Sequence, residues 1–173
     1  MKLWMAFFLS GLLALWAGLP HTESFKMIQG IRPYAMQLGV GMTEIFVFVD
    51  PMCPKSRAYI EQISTSGEML RKHRYFIFLY RLPKFESDHL IRTVYTSSDP
   101  RLMMQKIMIE RCAPEALKGE KSAYADEAID AIAEVGMRLG MEHRPYLMIF
   151  KPTAPYCIVS EGEPDCTDPE KRE

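Results

Sequence analysis

The chain has 173 residues, of which 48% are hydrophobic and 25% charged, and its formal net charge is -1. This length accommodates one domain, or one domain with an export segment. A net charge near zero supplies no strongly basic surface, so we expect neither nucleic acid nor an anionic membrane surface as a partner.

Residues 1–19 are typical of a targeting segment. Lys2 precedes an uncharged run from Leu3 to Leu19, as in a secretory signal peptide cleaved after Ala17. The run is also at the lower limit of the ~17–25 residues that span a bilayer. An uncleaved membrane anchor is therefore the main alternative, and a buried structural helix is the third. Because the first two place the domain outside the cytoplasm, we expect a periplasmic protein that touches the membrane only through this segment, if it is retained.

The rest of the chain alternates apolar strands with helical segments. Residues 20–43 form a mixed lead-in that glycine and proline interrupt. The β-branched and aromatic run Ile45–Val49 predicts a strand buried on both faces, as in the middle of a sheet. Further strands are predicted over Tyr75–Tyr80, Tyr146–Phe150 and Tyr156–Val159. Apolar residues at a 3.6-residue period predict helices over Pro54–Ser64, Asp88–Tyr95, Pro100–Arg111 and Ala123–Leu139.

This order of elements predicts an α/β domain over residues 44–160. A β-α-β unit, several helices and a final β-β pair suit one central sheet with helices on its faces. Residues 161–173 are acidic and then of mixed charge, so we expect a flexible tail there.

The four cysteines are Cys53, Cys112, Cys157 and Cys166. They form no C-x-x-C pair and the histidines are scattered, so no zinc site, other metal or organic cofactor is implied. An exported chain can form disulfides, and sequence alone leaves three full pairings open. We expect a structural disulfide between Cys157 and Cys166, with a mobile redox pair serving Cys53 as the alternative. Cys112 would then be an inert buried thiol.

Cys53 occupies the most informative position. It follows the strand Ile45–Val49 and precedes the predicted helix, whose unpaired N–H groups and positive dipole end favour a thiolate there. At such sites the pKa of a cysteine falls from ~8.5 to between ~3.5 and ~7.5. Lys55 and Arg57 add positive charge, and Pro54 fits the first helical turn. We predict a nucleophilic thiolate at Cys53; a chemically silent packing residue is the alternative.

The segment VFVDPMCPKSRAYIEQI, residues 47–63, resembles the active-site segment of thioredoxin-fold disulfide oxidoreductases. It is most similar to that of the periplasmic disulfide isomerases of the DsbC/DsbG type. In those proteins a strand ending in F-x-D-x-x is followed by C-x-x-C at a helix start, and Phe48, Asp50 and Cys53 match this pattern. The resemblance extends over about residues 44–150. It implies a thioredoxin-like fold, with a central mixed β-sheet, flanking helices and a helical insertion.

A second segment, VGMRLGMEHRPYLMIF, resembles the family's stretch around its cis-proline, and Pro145 falls at that proline. The resemblance implies a cis Arg144–Pro145 bond, with Pro145 lying against Cys53 and presenting backbone to an extended substrate. It also implies that Arg144 faces the substrate groove, and we predict Pro54, Lys55 and Arg144 as binding residues.

The sequence departs from this family at Ser56, which replaces the second cysteine and makes the motif CPKS. We interpret Ser56 as a plain helix-turn residue, or as a hydrogen-bond donor to the Cys53 thiolate. A lone thiolate can still form a mixed disulfide, although it has no neighbour within the motif to resolve it. The first hypothesis is therefore a single-cysteine disulfide isomerase or reductase that acts on protein thiols and disulfides. The second is a redox-inactive thioredoxin-fold binding module of an envelope, secretion or conjugation assembly.

Overall fold

The structure is a computed structural model that describes residues 21–111, 122–150 and 157–162. The predicted targeting segment, Cys112, Cys166 and nearly all of the predicted tail lie outside these ranges. Within them, no helix is both long enough and apolar enough to cross a membrane.

A five-stranded mixed sheet forms the centre of the domain, and the strand order is β1-β3-β2-β4-β5. The strands are β1 (Met36–Leu38), β2 (Thr43–Val49), β3 (His73–Leu79), β4 (Tyr146–Phe150) and β5 (Cys157–Glu161). β2 and β3 are parallel, and the other neighbouring strands are antiparallel. The predicted α/β class with one central sheet is confirmed.

β2 lies in the middle of the sheet because its apolar run can be buried on both faces. Ile45–Val49 is buried throughout and pairs with β3 on one side and β4 on the other. On one face, Phe48 stacks on Phe78 with ring centroids 4.8 Å apart. The carboxyl end of this strand is thereby held in place, and so is the turn that follows it and leads to Cys53.

Six α-helices lie in the described residues, together with one short 3-10 helix. They are α1 (His21–Ile31), the 3-10 helix Arg32–Tyr34, α2 (Pro54–Thr65), α3 (Gly67–Lys72), α4 (Asp88–Thr96), α5 (Pro100–Met108) and α6 (Ala123–Arg138). The four predicted helices are confirmed, but α5 ends earlier than expected, at Met108. Arg111 then has a left-handed φ of 52°, which a continuing helix cannot contain. The short α3 was not predicted.

The interpretation of residues 20–43 as a lead-in was wrong for its described part. α1 buries Ile28 and Ile31 in the main core, and β1 pairs with β3 as an edge strand of the same sheet. A tight turn joins β1 to β2, in which a Cβ on Gly41 would lie 2.0 Å from a backbone carbon of Lys72. The glycines that were predicted to interrupt this segment therefore allow its backbone to approach the end of α3 closely.

Candidate active site

Cys53 is the N-cap of α2, as the sequence predicts. Its backbone is extended, Pro54 takes the first helical position, and the Ser56 N–H donates to the sulfur at 3.4 Å. The Arg57 N–H donates to the Cys53 carbonyl and closes the first turn. The sulfur thus occupies the place where a side-chain oxygen usually caps a helix, facing unpaired N–H groups and the positive end of the dipole.

Cys53 is wholly buried and disulfide-bonded in this structure. Cys157 is a free cysteine, so it does not supply the partner sulfur. The site is therefore described in its oxidised state. The prediction of a solitary motif thiol is incomplete, because Cys53 has a disulfide partner outside the CPKS motif.

Ser56 is buried one turn into α2. Its hydroxyl accepts the backbone N–H of Asp50 at 3.2 Å, which ties the helix to the end of β2. Its own N–H is the group that contacts Cys53. Ser56 therefore contributes to the site through its backbone, and its hydroxyl stabilises the turn between strand and helix. Pro54 and Lys55 are partly exposed on the same turn.

The Arg144–Pro145 peptide bond is cis, and its loop lies against the active cysteine, as the resemblance implies. The Arg144 carbonyl oxygen is 3.8 Å from Cys53 Sγ. Gly162 closes the other side of the loop, because its N–H donates to the Pro145 carbonyl at 2.8 Å. A Cβ on Gly162 would lie 2.1 Å from the Arg144 carbonyl oxygen. Gly162 was not predicted as a site residue, although a glycine just after a predicted hairpin strand is a signal of close backbone approach.

The expectation that Arg144 faces an open groove was wrong. Its side chain is buried, with 1% exposed. The guanidinium stacks on the Tyr80 ring, 3.8 Å from its centroid, and donates to the carbonyls of Tyr80, Met141 and His143. Burial lowers the pKa of Arg144, although a guanidinium stays protonated at physiological pH. The side chain turns inward because these three carbonyls and the ring face offer partners that replace water.

Asp50 is a buried carboxylate between the end of β2 and Cys53 in the sequence. It accepts the N–H of Met52 at 2.7 Å, the N–H of Leu82, and the Ser87 hydroxyl at 3.1 Å. Burial raises the pKa of Asp50, and these hydrogen bonds oppose the rise. The Met52 contact caps the turn after β2, as we expect for an Asp before a proline. The contacts to Leu82 and Ser87 add a second role, because they hold the loop that follows β3.

Two arginines supply positive charge beside the helix start. The Arg57 Nε donates to the Pro51 carbonyl, so its guanidinium lies beside the turn that carries Cys53. Burial lowers the pKa of Arg57, and the neighbouring charge of Arg111 lowers it further. Such charges favour a thiolate at Cys53 in the reduced protein.

Leu82 and Phe85 form an apolar cover that packs with Cys53. Cys53 and Leu82 form a small buried cluster of their own, separate from the main core, with Phe85 packed against it. Both cover residues come from the loop after β3 that Asp50 holds. Because Cys53 is wholly buried, a substrate can reach the sulfur only after neighbouring groups move.

The predicted Cys157–Cys166 disulfide is absent, because Cys157 is a free thiol. Cys157 begins β5 opposite Phe150, and its side chain packs against the main core. Burial raises the pKa of Cys157, so its thiol is poorly nucleophilic. Strand pairing directs this side chain into the domain, and spacing along the chain gave no information about that direction.

No protein-family model matches the chain, and no curated protein is similar to it in sequence. Solved structures are similar in fold. The catalytic domain of Proteus mirabilis ScsC has a TM-score of 0.58 at 12% identity, covering 83% of this chain and 92% of that one. A disulfide interchange protein from Neisseria gonorrhoeae has a TM-score of 0.53 at 13% identity, covering 70% and 89%. A putative protein-disulfide isomerase from Pseudomonas syringae has a TM-score of 0.50 at 15% identity, covering 72% and 92%.

The chain therefore has a thioredoxin-like fold, as the resemblance implies. At these identities the likeness establishes the fold alone, and the chemistry has to be argued from the site.

Proposed function

We propose that this protein carries out thiol–disulfide exchange on protein substrates, with Cys53 as the nucleophile. The observation that carries the proposal is the placement of the Cys53 sulfur between the Ser56 N–H and the Arg144 carbonyl, at a helix start beside a cis-proline. The sulfur is also already part of a disulfide. Similarly folded proteins include one named as a disulfide interchange protein and one named as a putative protein-disulfide isomerase.

The proposed step begins with the reduced protein. The Cys53 thiolate attacks one sulfur of a substrate disulfide, so a Cys53–substrate disulfide forms and the other substrate sulfur leaves as a thiolate. A substrate thiolate then attacks the mixed disulfide, which gives a rearranged substrate disulfide and restores the Cys53 thiolate. No net electrons are transferred, so this isomerase cycle needs no second cysteine and no cofactor.

Ser56 supports the isomerase route over oxidation within the motif. A C-x-x-C oxidase releases itself from a trapped substrate through the second motif thiol, and Ser56 has a hydroxyl in that place. The hydroxyl contacts the Asp50 N–H, and it cannot form a disulfide. The disulfide that Cys53 makes outside the motif would instead hold the site in an inactive, oxidised form until a reductant opens it.

The proposal is tested by refolding scrambled ribonuclease with the pre-reduced full-length chain. We expect catalysed recovery of ribonuclease activity, and we expect Cys53→Ser to abolish it. A variant in which Cys112, Cys157 and Cys166 are all serine separates the two routes. Retained activity supports a single-cysteine cycle, whereas loss of activity with accumulation of the mixed disulfide means that a second cysteine of the chain resolves it. If neither the wild type nor this variant forms an adduct with the substrate, the proposal is wrong.

A second candidate function is a docking module of an envelope, secretion or conjugation assembly. The complete burial of Cys53, under an apolar cover and within a disulfide, favours this alternative. A docking module should bind its partner equally well with Cys53 changed to Ser, and its mixed disulfides should not turn over. Crosslinking in the cell envelope, with wild-type and Cys53→Ser chains compared, distinguishes the two functions.

We also propose that the domain works outside the cytoplasm. The uncharged run Leu3–Leu19 supports export, and a persistent disulfide at Cys53 suits an oxidising compartment. A fusion of alkaline phosphatase to the C-terminus should be active in bacteria if the chain is exported. Deletion of residues 1–19 should abolish that activity.

A further inference from the structure

The Arg144 side chain connects the cis-proline loop to the end of β3. Its Nε donates to the Tyr80 carbonyl at 3.2 Å, and its guanidinium carbon lies 3.8 Å from the centroid of the Tyr80 ring. The Tyr80 N–H in turn donates to the Val49 carbonyl at 2.8 Å, which fixes Tyr80 to the strand that leads to Cys53. The Arg144 carbonyl and the Cys53 sulfur are therefore both held in place by the central strands β2 and β3.

Gly136 of α6 makes the room that this arrangement needs. A Cβ at Gly136 would lie 2.1 Å from Cε1 of Tyr80, well inside contact distance. The Tyr80 ring is thus held between the backbone of α6 and the Arg144 guanidinium. A glycine in the interior of a helix costs up to about 1 kcal/mol relative to alanine, and here its place is explained by the ring packed against it.

Arg144 also bonds within its own loop. One guanidinium nitrogen donates to the carbonyls of His143 at 2.7 Å and Met141 at 3.3 Å. These bonds fix the backbone immediately before Arg144, so they fix the direction of its carbonyl. That carbonyl is the group 3.8 Å from Cys53 Sγ.

We propose that Arg144, Tyr80 and Gly136 form a positioning device, called here the arginine lock, that holds the Arg144 carbonyl beside Cys53 and sets the reactivity of its thiol. The inference rests on the proposed function, in that it explains how the nucleophile is tuned. The side chains of Arg144 and Tyr80 have a positioning role, since they act on Cys53 through the Arg144 carbonyl.

The lock and the start of α2 have opposite effects on the ionisation of Cys53. In the reduced protein, a Cys53 thiol can donate to the Arg144 carbonyl, whereas a thiolate meets the lone pairs of that oxygen. The Ser56 N–H has the opposite preference and favours the thiolate. Releasing the carbonyl removes the group that stabilises the neutral form, so the pKa of Cys53 should fall.

The test measures the alkylation rate of Cys53 against pH in the reduced full-length chain, with cysteine-containing peptides resolved by mass spectrometry. The pH midpoint reports the pKa of Cys53, and the plateau rate reports access. Tyr80→Leu removes the ring face and Arg144→Lys removes the planar fork. We expect both to lower the midpoint by about half a pH unit or more, which is roughly a threefold increase in the thiolate-to-thiol ratio.

Matched variants separate the lock from general loosening. Tyr80→Phe keeps the ring face but removes the hydroxyl that hydrogen-bonds to Arg144, so its midpoint should shift less than that of Tyr80→Leu. Gly136→Ala should displace the ring and lower the midpoint in wild type, but it should add no further shift to Tyr80→Leu. Ile132→Val, in the buried core of α6, should reduce stability without moving the midpoint. Asp50, Arg57 and Arg111 are unchanged in every variant, so the same charged residues lie near the site throughout.

Unchanged midpoints in folded Tyr80→Leu and Arg144→Lys would overturn the lock, and so would an equal shift in Ile132→Val. If Tyr80→Leu does not fold, Arg144→Lys and Gly136→Ala decide the question by the same criterion. The readout requires no substrate disulfide. If the midpoints shift but the chain has no isomerase activity, the lock is supported and the proposed function is wrong. If the chain has isomerase activity but the midpoints do not shift, the proposed function is supported and the lock is wrong.

Discussion

The two sides of the Cys53 sulfur are built in different ways. On one side, Leu82 and Phe85 form a small apolar cluster that is separate from the main core. On the other side, the Ser56 N–H and the Arg144 carbonyl contact the sulfur, and both belong to segments anchored on the central strands. We expect the apolar side to control access to the sulfur and the polar side to control its charge, with Asp50 hydrogen-bonded to both.

The polar side should also be the more rigid. Its groups are joined through the Asp50 carboxylate, the cis-proline loop and the end of β5, each with short hydrogen bonds to backbone. The apolar cover lies outside the main core, and its loop is held by the hydrogen bonds of Asp50 to Leu82 and Ser87. Local opening draws on regions with few buried apolar contacts, so we expect substrate to enter by displacing the cover.

The largest effect is expected at Gly162, on the polar side. Gly162→Ala places a Cβ 2.1 Å from the Arg144 carbonyl oxygen and 2.5 Å from its carbon, and backbone atoms cannot yield as a flexible side chain can. We expect a loss of about 3 kcal/mol or more in the free energy of unfolding, measured by urea denaturation.

Gly30→Ala is the matched control for Gly162. It lies in α1 with nothing within 4 Å of the added Cβ. It should leave the stability unchanged or raise it by up to about 1 kcal/mol. Equal stability of Gly162→Ala and wild type would mean that β5 does not close on the cis-proline loop.

The next effect is expected at Asp50, which joins the two sides. Asp50→Asn replaces one carboxylate oxygen with an N–H₂ group, which is itself a donor. In one orientation this group faces the Met52 N–H, and in the other it faces the Leu82 N–H and the Ser87 hydroxyl. We expect a loss of about 1–3 kcal/mol in unfolding free energy at pH 7. Asp88→Asn, which changes a half-exposed carboxylate paired with Arg81, should cost less than about 1 kcal/mol.

The pH dependence provides an independent measurement at Asp50. Burial raises the pKa of Asp50 above its ordinary value of 3.8, so the folded protein binds this proton more tightly than the unfolded chain does. The stabilising contribution of that proton is complete below the unfolded pKa and is lost as the pH rises through the folded pKa. The unfolding free energy of wild type should therefore contain a fall above about pH 4 that Asp50→Asn lacks. Parallel pH profiles for the two proteins would show that Asp50 is not desolvated as the structure indicates.

Much of the frame could be predicted from sequence because it depends on local pattern. The apolar run Ile45–Val49 is typical of a strand that is buried on both faces in the middle of a sheet, and it lies there. Prolines at the first positions of α2 and α5 marked both helix starts, and the N-cap position of Cys53 followed directly. These signals need only neighbours along the chain.

The missed features all depend on contacts between distant segments. A charged residue is rarely buried, so the inward turn of Arg144 could not be expected without knowing that Tyr80 and three carbonyls would meet it. The pairing assigned to Cys157 failed for the same reason, since strand register sets where its side chain points. The resemblance located the cis bond, but it gave no information on how this chain holds the loop.

The smallest effect is expected at the apolar cover, and it separates access from charge. Phe85→Ala removes the partly buried ring above Cys53 without touching Arg144 or Ser56. We expect the plateau alkylation rate of reduced Cys53 to rise about tenfold, which corresponds to about 1.4 kcal/mol less opening free energy, with the pH midpoint unchanged. Phe25→Ala is the matched control, because Phe25 is a 37% exposed phenylalanine that packs on Phe150. Its plateau rate should equal that of wild type. A shifted midpoint in Phe85→Ala would mean that the cover and the polar frame are coupled, and the division between the two sides would then have to be abandoned.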